Sequence, residues 1–338
     1  MMKQHKTMGR REFLRIIGVG GIAGVAAVTL DRINIPEQLV ITETRLLMGT
    51  VVNLTLVTED RQTGQRAVKA SLDRMAALEA ILSRHQQTSQ ITQLNRAGYL
   101  ANPSDALVHL LRESQHLSRL SAGAFDVTVK PLLDLYQVSQ TSAGRLPSQD
   151  EVQRVLARVG YQHMQITDEM IRFAVPEMAI TLDGIAKGFI VDEGARILED
   201  FGFHDILVEA GGDLVASGTN PLGKRWRIGI QGPRAEHEHL IHSFQMSNRS
   251  SATSGDYVQH YADDLSRHHI IDPRTGVSAP ELASVTVTAP NGMQADALAT
   301  ALMVMGSSAG LALIEVLAGC EASCGTRDRK STRLNSSH

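Results

Sequence analysis

Between residues 180 and 218 a short apolar stretch runs into Asp183-Gly184-Ile185-Ala186-Lys187-Gly188, then through an amphipathic segment to a strand ending in Gly211-Gly212-Asp213. A strand that feeds a helix through small residues exposes backbone groups and a helix N-terminus, where a phosphate or a hard cation can be held. Asp183 and Lys187 could also be a plain helix cap and a solvated lysine. Against that, a lysine in a first turn opposes the helix dipole, and flanking glycines weaken the helix. A polyanionic ligand suits a lysine so placed.

A second cluster is Gln294-Ala295-Asp296-Ala297-Leu298-Ala299-Thr300. Asp296 and Thr300 are four apart and share one helical face. A carboxylate and a hydroxyl there are two hard oxygen ligands for Mg2+, which completes its shell with phosphate and water. An ordinary first-turn aspartate and an ordinary threonine are the alternative. Small hydroxyls precede a glycine turn in 250–257, which by itself reads as a capped turn. In His268-His269-Ile270-Ile271-Asp272-Pro273-Arg274-Thr275-Gly276, adjacent histidines on a strand face opposite sides and are poor joint metal ligands. Motifs of the H-E-x-x-H, Walker and G-x-G-x-x-G types are absent from the sequence.

The elements that must position these groups follow from periodicity. Alternation predicts strands over 39–47 and 50–57, broken at Met48-Gly49. Helical stripes predict helices over 65–82, 104–121, 146–159 and 294–305. Residues 123–131 are expected to form a loop and extended piece stopped by Pro131. Further short strands are expected at 165–166, 171–175, 178–182, 226–231, 241–246, 250–253, 268–271 and 284–288. Strand groups joined by short turns, with helices interspersed irregularly, predict an α+β fold with mixed, largely antiparallel sheets and packed helices.

With 338 residues and 43% hydrophobic content, the chain can bury a substantial core. Its formal charge is -3; residues 1–30 carry five basic side chains and one acidic one, leaving -7 for the rest. A mildly acidic body argues against nucleic acid as a partner. Gly9-Arg10-Arg11-Glu12-Phe13-Leu14-Arg15 before a small apolar run predicts a twin-arginine export signal over 1–30 and a periplasmic protein, with a retained signal anchor in the inner membrane as the alternative. Residues 31–38 are a linker and 39–322 the folded domain. Cys320 and Cys324 alone are weak grounds for a metal site. The basic, polar run 326–338 lacks apolar periodicity and reads as a non-native tail.

Taken in order, Met48-Gly49-Thr50, 83–95, Gly123-Ala124-Phe125-Asp126, 182–192, Gly211-Gly212-Asp213, 252–257, 269–276 and 295–300 resemble the ApbE family of FAD:protein FMN transferases. The resemblance spans about residues 40 to 320. It implies an ApbE-like, T-fold-related architecture and Mg2+-dependent transfer of FMN from FAD onto a threonine or serine hydroxyl of an acceptor protein, through a phosphoester bond, with release of AMP. It implies FAD contacts at Met48, Ala124, Phe125, Asp126, Asp183, Lys187 and Ile271, and Mg2+ held by the Gly184 carbonyl and the side chains of Asp296 and Thr300. Lys187 and the cation then neutralise the diphosphate, and His269, with an ordinary pKa near neutrality, is the candidate base. His85 and Ala299 depart from the family pattern, which often has an aromatic residue and a further acidic ligand there. By export logic the acceptor is a periplasm-facing subunit of a respiratory or electron-transfer complex. The competing expectations are an FAD pyrophosphatase giving FMN and AMP, and a flavin carrier.

Overall fold

The structure, a computed structural model, describes residues 39–234, 240–262, 264–327 and 331–334. The expected export signal (1–30) and linker (31–38) lie outside the described residues. The chain is α+β, as expected. Its main sheet has eight strands: β1 (Leu39–Leu47), β2 (Thr50–Thr58), β6 (Ile206–Ala210), β7 (Asp213–Ser217), β10 (Arg249–Gly255), β11 (Leu282–Ala289), β12 (Glu321–Thr326) and β13 (Ser331–Leu334), in that spatial order. Every neighbouring pair is antiparallel. A three-stranded sheet orders β3 (Tyr99–Ala101), β5 (Met170–Phe173) and β4 (Met164–Ile166), and β8 (Trp226–Gln231) pairs with β9 (Leu240–Met246).

One face of the main sheet carries three helices, α1 (Arg61–Leu82), α6 (Ala186–Asp200) and α7 (Gly292–Glu315). Their apolar stripes make one core with the inward residues of the strands: Val52, Leu54 and Leu56 from β2, Leu72, Met75 and Leu78 from α1, and Val285 and Val287 from β11. Excluding this apolar surface from water is the main stabilising force. The hairpin β8–β9 covers part of the opposite face through Trp226, Ile228 and Met246, packed on Val57, Leu214 and Ala216. Four shorter helices, α2 (Gln90–Ala97), α3 (Asp105–Leu120), α4 (Lys130–Ala143) and α5 (Gln149–Leu156), complete the fold.

Where expectation and structure differ, the bonding of particular residues explains it. Pro131 opens α4 rather than stopping the chain: it occupies the first turn, where a missing N–H costs nothing. Residues 178–182 are extended and bury Met178, Ile180 and Leu182, but they join no sheet. Asn95 instead bonds both backbone groups of Ile180, at 2.8 and 2.9 Å, so one side chain stands in for a neighbouring strand. Residues 268–271 make isolated bridges, His260 to His268 and Ile271 to Ser278, rather than a strand. α7 runs beyond Met305 because a second helical segment follows Gly306, which breaks the geometry at φ 77°. In the run set aside as a tail, Thr326 closes β12 and the 331–334 backbone pairs with β12. An open antiparallel edge offers its N–H and C=O groups to any extended segment, whatever its periodicity.

Candidate active site

The close approach of α6 and α7 is built on glycine. A Cβ on Gly188 would lie 2.1 Å from the Gly292 carbonyl oxygen and 2.9 Å from the Asp296 Cβ, so a larger residue would force the helices apart. Asp192, one turn further along α6, accepts from the backbone N–H of Gly292 (2.6 Å) and Met293 (2.9 Å) and so closes the start of α7. Burial pushes its carboxyl up to about 6.

This crossing brings the two sequence clusters together. Asp296, 4% exposed, accepts from the Gly188 N–H at 3.2 Å. Gly184 lies against Thr300: a Cβ there would be 2.8 Å from its Oγ1. The Thr300 hydroxyl in turn meets Ser254 Oγ at 3.1 Å, which places the hydroxyl-rich turn beside the same site. Lys187, in the first turn of α6, ion-pairs with Asp213 at the start of β7. Glu209 stands at the turn before Asp213, only 7% exposed, accepting from Gly212 N and Asn53 Nδ2, both at 2.8 Å.

Three buried or nearly buried carboxylates thus surround one ammonium. Burial, then the neighbouring Asp213 carboxylate, pushes Asp296 up to about 8. Burial alone would lower the Lys187 pKa, yet Asp213 and Asp296 hold it well above its ordinary value. The Asp213 Oδ1 is buried and has no hydrogen-bond partner. Three carboxylates against one ammonium are costly to bury fully charged, so Asp296 keeps its proton unless a cation joins the cluster. Among the described residues no three His, Cys, Asp or Glu side chains gather as metal ligands. Mg2+ needs no such set: one carboxylate, a hydroxyl and a carbonyl leave positions for phosphate and water. Asp296, Thr300 and the Gly184 carbonyl fit that description.

The other expected residues lie on neighbouring segments. Met48 sits at the β1–β2 tip in the left-handed region (φ 54°), and the following Thr50 packs on Gly211 of the turn that carries Asp213. Ala124, Phe125 and Asp126 are buried. Both Asp126 oxygens are engaged within the loop, one by Thr128 and the other by the Tyr161 N–H at 2.8 Å. The Thr181 N–H donates to the Val127 carbonyl at 2.8 Å, which fastens that loop beside Asp183. Ile271 buries its side chain with Leu132 and Tyr136, which leaves only its backbone to meet a ligand. Asp183, half-exposed, pairs with Arg84 at 2.7 Å rather than capping α6.

The adjacent histidines do point apart. His268 is fully buried, its Nε2 bonded to the Ala279 carbonyl at 2.9 Å, and burial lowers it to about 4. His269 is half-buried near Asp183, with Nδ1 3.0 Å from the Gln259 carbonyl. A carbonyl only accepts, so Nδ1 carries the proton and Nε2 is left with a lone pair. Burial lowers the pKa of His269, while the Gln259 carbonyl, Asp183 and Asp256 oppose that shift. A recess of about 570 Å³ lies elsewhere, lined by residues such as Phe244, Arg249, Thr286 and Thr288, and contains none of this chemistry.

Sequence reasoning gave no role to Asp213, Glu209 or Asp192. Asp213 and Asp192 stood inside quoted motifs, and the signal that could have found Asp213 was an aspartate after two glycines at a strand end.

An antiparallel sheet with helices on one face, carrying a buried carboxylate–lysine cluster at a glycine helix crossing, is an architecture with counterparts of known structure. The chain matches the Vibrio cholerae flavin transferase ApbE at TM-score 0.76 and 29% identity, covering 88% of this chain and 98% of that one. It matches the ApbE protein of Thermotoga maritima at TM-score 0.79 and 26% identity, over 88% and 97% of the two chains. The ApbE family model matches residues 48–324. In sequence, a Vibrio cholerae protein named FAD:protein FMN transferase is 32% identical over 276 residues, 79% of this chain and 82% of that protein. An Escherichia coli protein of the same name is 29% identical over 268 residues, 77% and 76% of the two. This chain belongs to the ApbE family.

Proposed function

We propose that this protein is a Mg2+-dependent enzyme that transfers FMN from FAD to a threonine or serine hydroxyl of an acceptor protein and releases AMP. The observation that carries the reading is the unbalanced cluster of Lys187, Asp213 and Asp296, set against Gly184 and Thr300. The names of the relatives support flavin transfer from FAD to protein.

In this reading the acceptor hydroxyl oxygen forms a bond to the FMN phosphorus, and the diphosphate P–O bond breaks so that AMP departs with the electron pair. His269 Nε2 takes the hydroxyl proton. Lys187 lies where negative charge accumulates on the diphosphate, and a fixed charge in a dry site stabilises it strongly. When bound by Asp296, Thr300 and the Gly184 carbonyl, Mg2+ supplies Lewis-acid polarisation and neutralisation of phosphate oxygens. Met48, the Ala124–Asp126 loop, Asp183 and the Ile271 backbone form the walls that hold the flavin nucleotide.

The twin-arginine segment supports export and an acceptor that faces the periplasm. The test combines purified protein, FAD, Mg2+ and a flavin-accepting subunit, followed by a denaturing gel under ultraviolet light. A fluorescent acceptor band, lost with Asp296→Ala, is expected. Free FMN and AMP without that band would identify a pyrophosphatase. FAD binding that survives a chelator, without AMP, would identify a carrier.

A further inference from the structure

We infer that Asp213 is a positioning residue that holds the Lys187 ammonium away from Asp296 and so keeps the Asp296 carboxylate open to a divalent cation. The inference rests on the cation reading of the site and adds the part played by Gly211-Gly212-Asp213.

The turn that presents Asp213 is specified in detail. Gly211 and Gly212 adopt φ 57° and 99°, a conformation that side chains with a Cβ rarely take. A Cβ on Gly211 would meet Thr50 Oγ1 at 2.7 Å. Glu209 accepts the Gly212 N–H and is itself held by Asn53 on β2. Asp213 is therefore fixed by strands β2 and β6, while Lys187 comes from α6 and Asp296 from α7. Its side chain is 1% exposed. One oxygen takes the Lys187 ammonium, the other meets no donor, and the Asp296 carboxyl lies within hydrogen-bonding reach of Asp213.

Lys187 stands between two carboxylates whose charges both act on it. A lysine bonded to Asp296 would occupy the oxygen a cation needs, because an ammonium and a divalent ion compete for the same lone pairs. Asp213 settles that competition by geometry, since its strand-anchored carboxylate offers the lysine a shorter-range partner. Groups that orient ligands without touching the metal commonly shift metal affinity by roughly 10- to 100-fold.

The experiment measures Mn2+ affinity from the free-ion paramagnetic resonance signal, for the intact protein without FAD and for Asp213→Asn, Lys187→Met and the double variant, with thermal melts alongside. Asp213→Asn is expected to weaken Mn2+ binding by roughly 10- to 100-fold. Lys187→Met in the same chain is expected to restore it to the level of Lys187→Met alone, which a merely structural role for Asp213 would not do. Unchanged affinity in Asp213→Asn, or a double variant as weak as the single, overturns the inference. A protein that binds no Mn2+, or binds it equally well as Asp296→Ala, overturns the cation reading itself and the inference with it. Should Asp213→Asn fail to fold, Asp213→Glu replaces it: the longer arm moves the ammonium, and the same reversal by Lys187→Met is expected.

Discussion

Two buried aspartates in this protein keep very different company. Asp256 is fully buried and receives Arg234 through both oxygens, at 2.7 and 3.0 Å, with Arg327 3.3 Å away. Asp213 is buried as deeply, but shares one lysine with Asp296 and leaves an oxygen unpaired. In the first group two cations outweigh one carboxylate and every carboxylate oxygen is used. In the second, carboxylates outnumber cations and one carboxylate oxygen has no hydrogen-bond donor. Both groups are hard to bury, so burial alone says nothing about function. The charge count does: the cluster in which cations outnumber the carboxylate clamps the loop after β10 to neighbouring segments, although Arg327 Nε finds no hydrogen-bond acceptor there, whereas the cluster with more carboxylates than cations is one that a cation can complete.

The sharpest way to break this contrast is to neutralise each side. Asp296→Ala is expected to slow FMN transfer by roughly 1000-fold, read from flavin fluorescence on the acceptor, because the metal's charge stabilisation is worth several kcal/mol. Its cation-free melting temperature should hold or rise, since a strained buried carboxyl has gone. Asp256→Ala should do the reverse. Stranding two arginines is expected to cost about 3 to 5 kcal/mol in denaturant unfolding. Its Mn2+ affinity should stay at the wild-type value, and a large loss there would show that the two regions are not separate.

His269→Asn is expected to lower transfer by roughly 100-fold while FAD binding, followed by flavin fluorescence quenching, is retained. Equal losses in binding and turnover would assign His269 to the nucleotide wall instead.

A further effect is in pH. Asp192 is raised to about 6 and Asp296 to about 8, both from 3.8. The folded state therefore holds protons that the unfolded state has released, so stability falls as pH rises from about 4 towards 8. At about 1.4 kcal/mol per unit of raised pKa, a decline of several kcal/mol is expected without divalent cation, from urea unfolding at several pH values. With saturating Mg2+ the portion due to Asp296 should vanish. A decline that Mg2+ leaves unchanged would place the titration outside the cation site.

Much of the fold was legible because its patterns are local. The alternation in 39–57 marked β1 and β2 to within a residue, and the stripe in 65–82 marked most of α1. What failed depended on partners far away in the chain. The 178–182 segment looked like a strand and is satisfied by Asn95, while Pro131 looked like a stop and begins a helix. The candidate site was legible in the same uneven way. Asp183, Lys187, Asp296 and Thr300 stood out by residue type and spacing, and Gly184 came with the family resemblance. Asp192 did not, because nothing nearby in sequence shows that it closes the start of a helix one hundred residues later.

The sequence by itself determined which groups this protein has for chemistry: an aspartate and lysine among glycines, an aspartate and threonine one turn apart, and a histidine before a tight turn. It also determined the family, through the order of those motifs. Only the tertiary structure decided that Gly188 and Gly292 let two helices touch, that Asp213 rather than Asp296 takes the lysine, and that one carboxylate oxygen is left over. Spacing along a chain records residue types and local periodicity. The sign of the charge at a site is a sum over groups from several elements, and folding alone brings those together.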